Sequence, residues 1–118
     1  MDITWDPAKN EININRRHLP LSLGGLVLDD DMRIERHDEE HSTPGQDRWQ
    51  TIGMAGKVLF MVYTEAGELP HVISVRLADT EEKRLYYGER DFQADGWYRV
   101  NPGRTGNAGE SGEIPPGI

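Results

Sequence analysis

The sequence predicts an α+β domain: two N-terminal helices, a four-stranded antiparallel sheet, one C-terminal helix and a disordered C-terminal tail. Three observations predict it. A strong helix start lies within the first ten residues, strand-patterned segments with short connections fill residues 32–77, and a capping box follows the last of them. With 118 residues of which 36% are apolar, the chain suits one domain with a modest core, built as one layer of helices on one sheet.

Trp5-Asp6-Pro7-Ala8-Lys9 opens the first helix. Asp6 offers the cap, and Pro7 occupies the first turn, where its missing N–H is harmless. The helix is expected to run to about Arg17, with Ala8 and Ile12 as its apolar side. Lys9, Asn13 and Arg16 stack at spacings of four and three as a polar, basic stripe, either a solvated face or an edge that contacts phosphate. Leu19 to Leu28 reads as a short second helix despite Gly24-Gly25, each glycine costing ~1 kcal/mol. Asp29-Asp30-Asp31 ends it.

Met32 to His37 is the first expected strand, and the polar segment 38–47 is a loop. Arg48 to Met54 follows, then a turn at Ala55-Gly56. Val58 to Thr64 is continuously apolar, as in a central strand covered on both faces. After a connection over 65–70, Ile73, Val75 and Leu77 alternate with Ser74 and Arg76, the period of a strand with unlike faces. Asp79 then caps a helix with Glu82 three residues on. Ala78, Glu82, Leu85 and Tyr86 share one side of it, so strand and helix can share a core while Arg76 points the other way. The domain is expected to span residues 1–90. Residues 91–100, with Phe92, Trp97 and Tyr98, pack back on it as either strand or helix. Glycine, proline and polar residues make 101–118 a disordered tail.

The net charge of −8 argues against bulk nucleic-acid binding, but its distribution weakens the objection. Residues 29–47 carry eight acids and two bases, whereas 48–90 and 1–28 are balanced. The chain has no cysteine, which excludes disulfides and thiolate metal sites. No apolar run approaches ~18 residues and no signal peptide is visible, so a soluble cytoplasmic protein without a membrane partner is expected. His37-Asp-Glu-Glu-His41 lacks the helix and the adjacent glutamate of a zincin, so neither a metal nor a cofactor is expected.

If sheet order follows the chain, the third strand lies between the second and the fourth. Arg48 and Arg76 then sit two strands apart, roughly 9–10 Å, and on a shared face they would flank one phosphodiester.

Trp5-Asp-Pro-Ala-Lys9, Asn13, a basic pair near 16–18, Asp29-Asp30, Arg48 leading to Ile52-Gly53, Val62-Tyr63-Thr64, Ile73-Ser74-x-Arg76-x-Ala78 and Glu82-x-Arg84-x-Tyr86 together resemble the BrnT family of type II toxins over residues 3–87. The resemblance implies a RelE-like fold, a small ribonuclease and an RNA substrate. It also implies a BrnA-type antitoxin, a ribbon-helix-helix protein that blocks the toxin and carries it to operator DNA. Three positions depart from the family. Arg16-Arg17-His18 stands where Lys-His-Gly is usual, His71 is the residue near a usual base, and Leu77 follows Arg76 where a base is common.

Cleaving RNA without metal needs a base for the 2′-hydroxyl, cations for the phosphate and an acid for the leaving oxygen. Arg76 is the first candidate for the phosphate and Arg48 the second, because the guanidinium fork donates two parallel hydrogen bonds. Glu82 either orients Arg76 or merely pairs with it. His18 is the acid–base candidate, because imidazole as a class exchanges protons near neutrality, and His71 is the alternative acid. Tyr86 reads as core with its hydroxyl at the rim. Lys9, Arg16 and Arg17 are candidate RNA contacts. The acidic balance and the substituted positions also fit a catalytically degenerate module acting in partner binding and co-repression.

Overall fold

In a computed structural model, which describes residues 1–101, the chain runs β1 (Thr4–Trp5), α1 (Pro7–Arg17), α2 (Leu23–Asp29), β2 (Ile34–His37), β3 (Asp47–Ala55), β4 (Lys57–Glu65), β5 (His71–Leu77), α3 (Thr80–Tyr86) and β6 (Tyr98–Arg99). Short 3-10 turns cover Glu39–His41 and Phe92–Asp95. The α+β class and the three helices agree with the sequence reading. The sheet does not. It has six strands in the order β1-β5-β4-β3-β2-β6, and β1 lies parallel to β5. The expected RelE-like arrangement of four antiparallel strands therefore does not match. Its central meander β2 to β5 is present, with a two-residue strand added at each edge. Apart from Asn101, the tail expected to be disordered lies outside the described residues.

The expected two layers are three. One face of the sheet carries Leu59, Met61, Tyr63, Val72 and Val75, and packs against Leu21, Val27 and Leu28 of the α2 region. The other carries Ile34, Ile52 and Val58, and packs against Ala78, Leu85, Tyr86 and Trp97. Alternation along each strand divides the residues between the two cores. The glycines of α2 have a packing cause. A Cβ on Gly24 would lie 2.7 Å from Val72 Cγ2, so only glycine lets this helix approach the sheet so closely.

α1 begins as its sequence predicts, with Asp6 accepting from the Ala8 N–H at 2.9 Å. Its buried side is the reverse of the expected one. Ile12 is 51% exposed and Ala8 is exposed, while Asn13 is the buried residue of the helix. β1 covers the edge of β5 only at His71 and Val72. Beyond it, the Asn13 amide takes the place of a neighbouring strand. Its Nδ2 donates to Val75 O at 2.9 Å and to Leu19 O at 2.8 Å, and its Oδ1 accepts from Val75 N at 3.2 Å. Asn13→Ala leaves those buried backbone groups unpaired and is expected to lower the unfolding free energy by about 2–4 kcal/mol, read by urea denaturation.

Candidate functional site

Arg76 and Arg48 lie on one face of the sheet, the face that also carries α3. The register fixes this: Arg76 pairs with Phe60 and Arg48 with Thr64, and residues 60 and 64 of β4 share a side. Arg76 therefore does not point away from the helix. They are offset by four residues along β4, so their Cα atoms are about 16–17 Å apart and do not flank a single phosphodiester.

Arg76 is built into the capping box of α3. Its Nη1 and Nη2 donate to Glu82 Oε1 and Oε2 at 2.7 and 2.8 Å. Glu82 Oε1 also accepts the Asp79 N–H at 2.9 Å, and Asp79 Oδ1 accepts the Glu82 N–H at 2.8 Å. One carboxylate thus closes the helix cap and holds the arginine. The guanidinium lies over the Phe60 ring at 4.1 Å. The hydrogen bonds to Glu82 raise the Arg76 pKa, against the opposing effect of burial and with help from the charges of Glu82 and Asp79. The Arg76–Glu82 ion pair is present, and its two hydrogen bonds fix the direction of the fork.

Arg48 is held from the loop side. Its backbone N–H donates to Ser42 Oγ at 2.9 Å, and Ser42 Oγ donates to Asp38 O at 2.7 Å. Asp38 Oδ2 stands 3.7 Å from Arg48 Nε, too far for a hydrogen bond, and that Nε is buried without a hydrogen-bond partner among the described residues. Burial acts to raise the Asp38 pKa, but the ring, charge and backbone N–H of His41, with Gln50, outweigh it and hold the carboxyl below its usual range. His37 and His41 do not converge. The His37 ring meets Asp47 Oδ1 at 3.1 Å and Ser42, while the His41 ring meets Asp38.

His18 is the C-cap of α1, exposed and at φ 59°. Lys9, Arg16 and Arg17 come together with Ile12, Asn13, Ile73 and Ser74 around a groove of about 280 Å³ between α1 and β5. Ser74 pairs with Val62 on the face of Arg76, so the groove opens beside the arginine's own strand. His71 lies on the same face, paired with Thr64 at the far end of β5. Tyr86 is buried, and its hydroxyl donates to Asp30 Oδ2 at 2.6 Å. Burial first, then that carboxylate, raises its pKa.

Sequence reasoning missed Arg36. Its guanidinium lies 4.5 Å over the Trp97 ring and donates to Gln50 Oε1 at 2.8 and 3.2 Å, while Trp97 meets Phe60 edge-on at 6.4 Å. Arg36, Trp97, Phe60 and Arg76 form a continuous cation–ring–ring–cation row. The one sequence signal for it is the parity of Arg36 with Ile34 in β2. Also missed was Glu35, buried on the opposite face, whose Oε2 accepts from Thr51 at 3.1 Å and Tyr63 at 3.0 Å beside Arg33 at 3.4 Å.

Compared with known proteins, residues 5–82 match the family model of the ribonuclease toxin BrnT of type II toxin–antitoxin systems. The chain is also similar to the crystal structure of the Brucella abortus ribonuclease toxin BrnT. Identity is 22%, with 68% of this chain and 99% of that one covered, at a TM-score of 0.49. No curated protein sequence matches it.

Proposed function

The chain belongs to the BrnT family of ribonuclease toxins of type II toxin–antitoxin systems, and from that premise we propose that it is a cytoplasmic endoribonuclease cutting RNA without a metal and silenced by a BrnA-type ribbon-helix-helix antitoxin. The antitoxin is the link to operator DNA.

The observation that carries the reading is the half-used fork of Arg76. The Nη1–Nη2 edge is committed to Glu82, and Nη1 also meets Leu77 O at 3.2 Å. The Nε–H and the second Nη2–H form the other edge, which has no partner among the described residues. A guanidinium gripped by a carboxylate on one edge offers a pre-aimed, bidentate donor pair to a phosphate on the other. Arg76 then stabilises the charge that builds when a ribose O2′ attacks phosphorus. Glu82 positions it, Arg48 supplies a second cation further along the strand direction, and the groove of Lys9, Arg16 and Arg17 receives the flanking RNA chain. No helix among the described residues is long and apolar enough to cross a membrane.

Inducing this reading frame alone is expected to arrest growth, and co-expressing a neighbouring short ribbon-helix-helix frame to restore it. Purified protein is expected to cut labelled RNA equally with and without EDTA. Intact RNA at high protein, with normal growth, favours instead a degenerate module kept for partner binding.

A further inference from the structure

We propose that His71 is the proton-accepting residue of this ribonuclease, oriented by Thr4 and facing Arg48 across Thr64. The inference rests on the reading of the chain as a ribonuclease and names a residue of the same site.

The register carries it. Arg48 pairs with Thr64 on one side and His71 pairs with Thr64 on the other, so the three form one row on one face. Two strand spacings separate Arg48 from His71, about 9–10 Å between Cα atoms. That is the span of one phosphodiester between a cation and an imidazole, and Arg48 and Arg76 do not have it.

The imidazole is held for a single task. Its Nδ1 lies 2.8 Å from Thr4 Oγ1, brought there by the parallel pairing of β1 with β5. With its proton on Nδ1, the ring donates to the Thr4 hydroxyl in both its neutral and its protonated form. Nε2 is left for substrate. His71, Thr4, Thr64, Gln46 and Glu68 surround a cavity of about 420 Å³ beside this row, with room for part of a nucleotide. The other three histidines are placed elsewhere: His18 caps α1, His41 is held by Asp38, and His37 pairs with Trp49 on the opposite face. Arg48 is anchored at the β3 end of this row, with its buried Nε facing Asp38 Oδ2 at 3.7 Å.

The step balances with water as the only co-reactant. The O2′ proton passes to His71 Nε2, the O2′–P bond forms and the P–O5′ bond breaks. O5′ takes a proton from water, and the imidazolium returns its proton to the hydroxide left behind. The products end in a 2′,3′-cyclic phosphate and a 5′-hydroxyl.

The test is a pH–rate profile of cleavage of a short mixed-sequence RNA by the full chain. The parent is compared with His71→Ala, His71→Gln, Thr4→Val and Glu68→Gln, and a 2′-deoxy oligonucleotide is the control. His71→Ala and His71→Gln are expected to lower kcat ~10²–10⁴-fold with little change in KM, and to abolish the rise in rate from acid pH. Added imidazole should restore part of the His71→Ala rate. Thr4→Val should lower kcat and displace that rise. The charged neighbours facing the ring are Arg48 on β3 and Glu68 on the β4–β5 turn, and Glu68→Gln should keep the rise. If both His71 variants cleave within about twofold of the parent, or keep its acid limb, the assignment is overturned while the ribonuclease reading stands. If the parent leaves RNA intact at every pH, both fall.

Discussion

Arg76→Ala is expected to abolish growth arrest and to lower single-turnover RNA cleavage ~10²–10³-fold, the usual cost of one pre-aimed donor to a developing oxyanion. The fold should survive. Arg76 is about one-third exposed at its side chain, and Glu82 keeps the Asp79 N–H when the arginine is gone. The α3 cap therefore remains, and the melting temperature should move by only a few degrees. Arg76→Lys separates charge from geometry. Lysine restores the cation but not two parallel donors, nor the flat contact with Phe60 at 4.1 Å, so it should recover a minor part of the rate. A variant cleaving like the parent would remove Arg76 from the site. Glu82→Gln offers a complementary reading: a weaker hold on the fork should lower kcat with the arginine still present.

What the sequence disclosed depended on whether a feature is local. The apolar run Val58–Thr64 and the Asp79–Glu82 capping box are properties of a few neighbouring residues, and both appear where expected. β1 and β6 have two residues each, too few to show a period, and exist only because an edge strand lies beside them. Asn13 looked like part of a solvated stripe because its burial depends on the unpaired edge at Val75, 62 residues away. The offset between Arg48 and Arg76 was partly readable. Counting eight residues each way from Gly56, which turns at φ 78°, pairs Arg48 with Thr64 and not with any residue near Phe60. The irregularity between Val62 and Tyr63 then shifts the pairing of β5 by one residue, a displacement with no local signature. The Arg76–Glu82 contact was legible, because its partners lie six residues apart. The contact of Thr4 with His71 was not, because the two are 67 residues apart.

Trp97→Ala is expected to have the largest effect on stability, about 3–5 kcal/mol, enough to move the thermal midpoint by more than ~10 °C. Trp97 is 3% exposed and lies beyond the family-matched segment, which ends at Glu82. The core on the Arg76 face depends on residues C-terminal to that segment. Leu85, Tyr86 and Trp97 close it over Ile34, Ile52 and Val58. Arg99 fastens the same region, donating to Met32 O and, at 3.1 Å, to Tyr86 O. Removing the indole leaves a cavity and deprives both Arg36 and Phe60 of a neighbour. Phe60 carries the Arg76 guanidinium, so the loss reaches the site through one contact. Trp97→Phe keeps an apolar ring and should retain most of the stability. Its kcat should still fall severalfold at unchanged KM, because the edge contact that steadies Phe60 becomes looser. Stability is read by thermal and urea denaturation, and the rate by cleavage below the melting transition. If Trp97→Ala melts within about 1 kcal/mol of the parent, the residues after α3 are not part of the folded core.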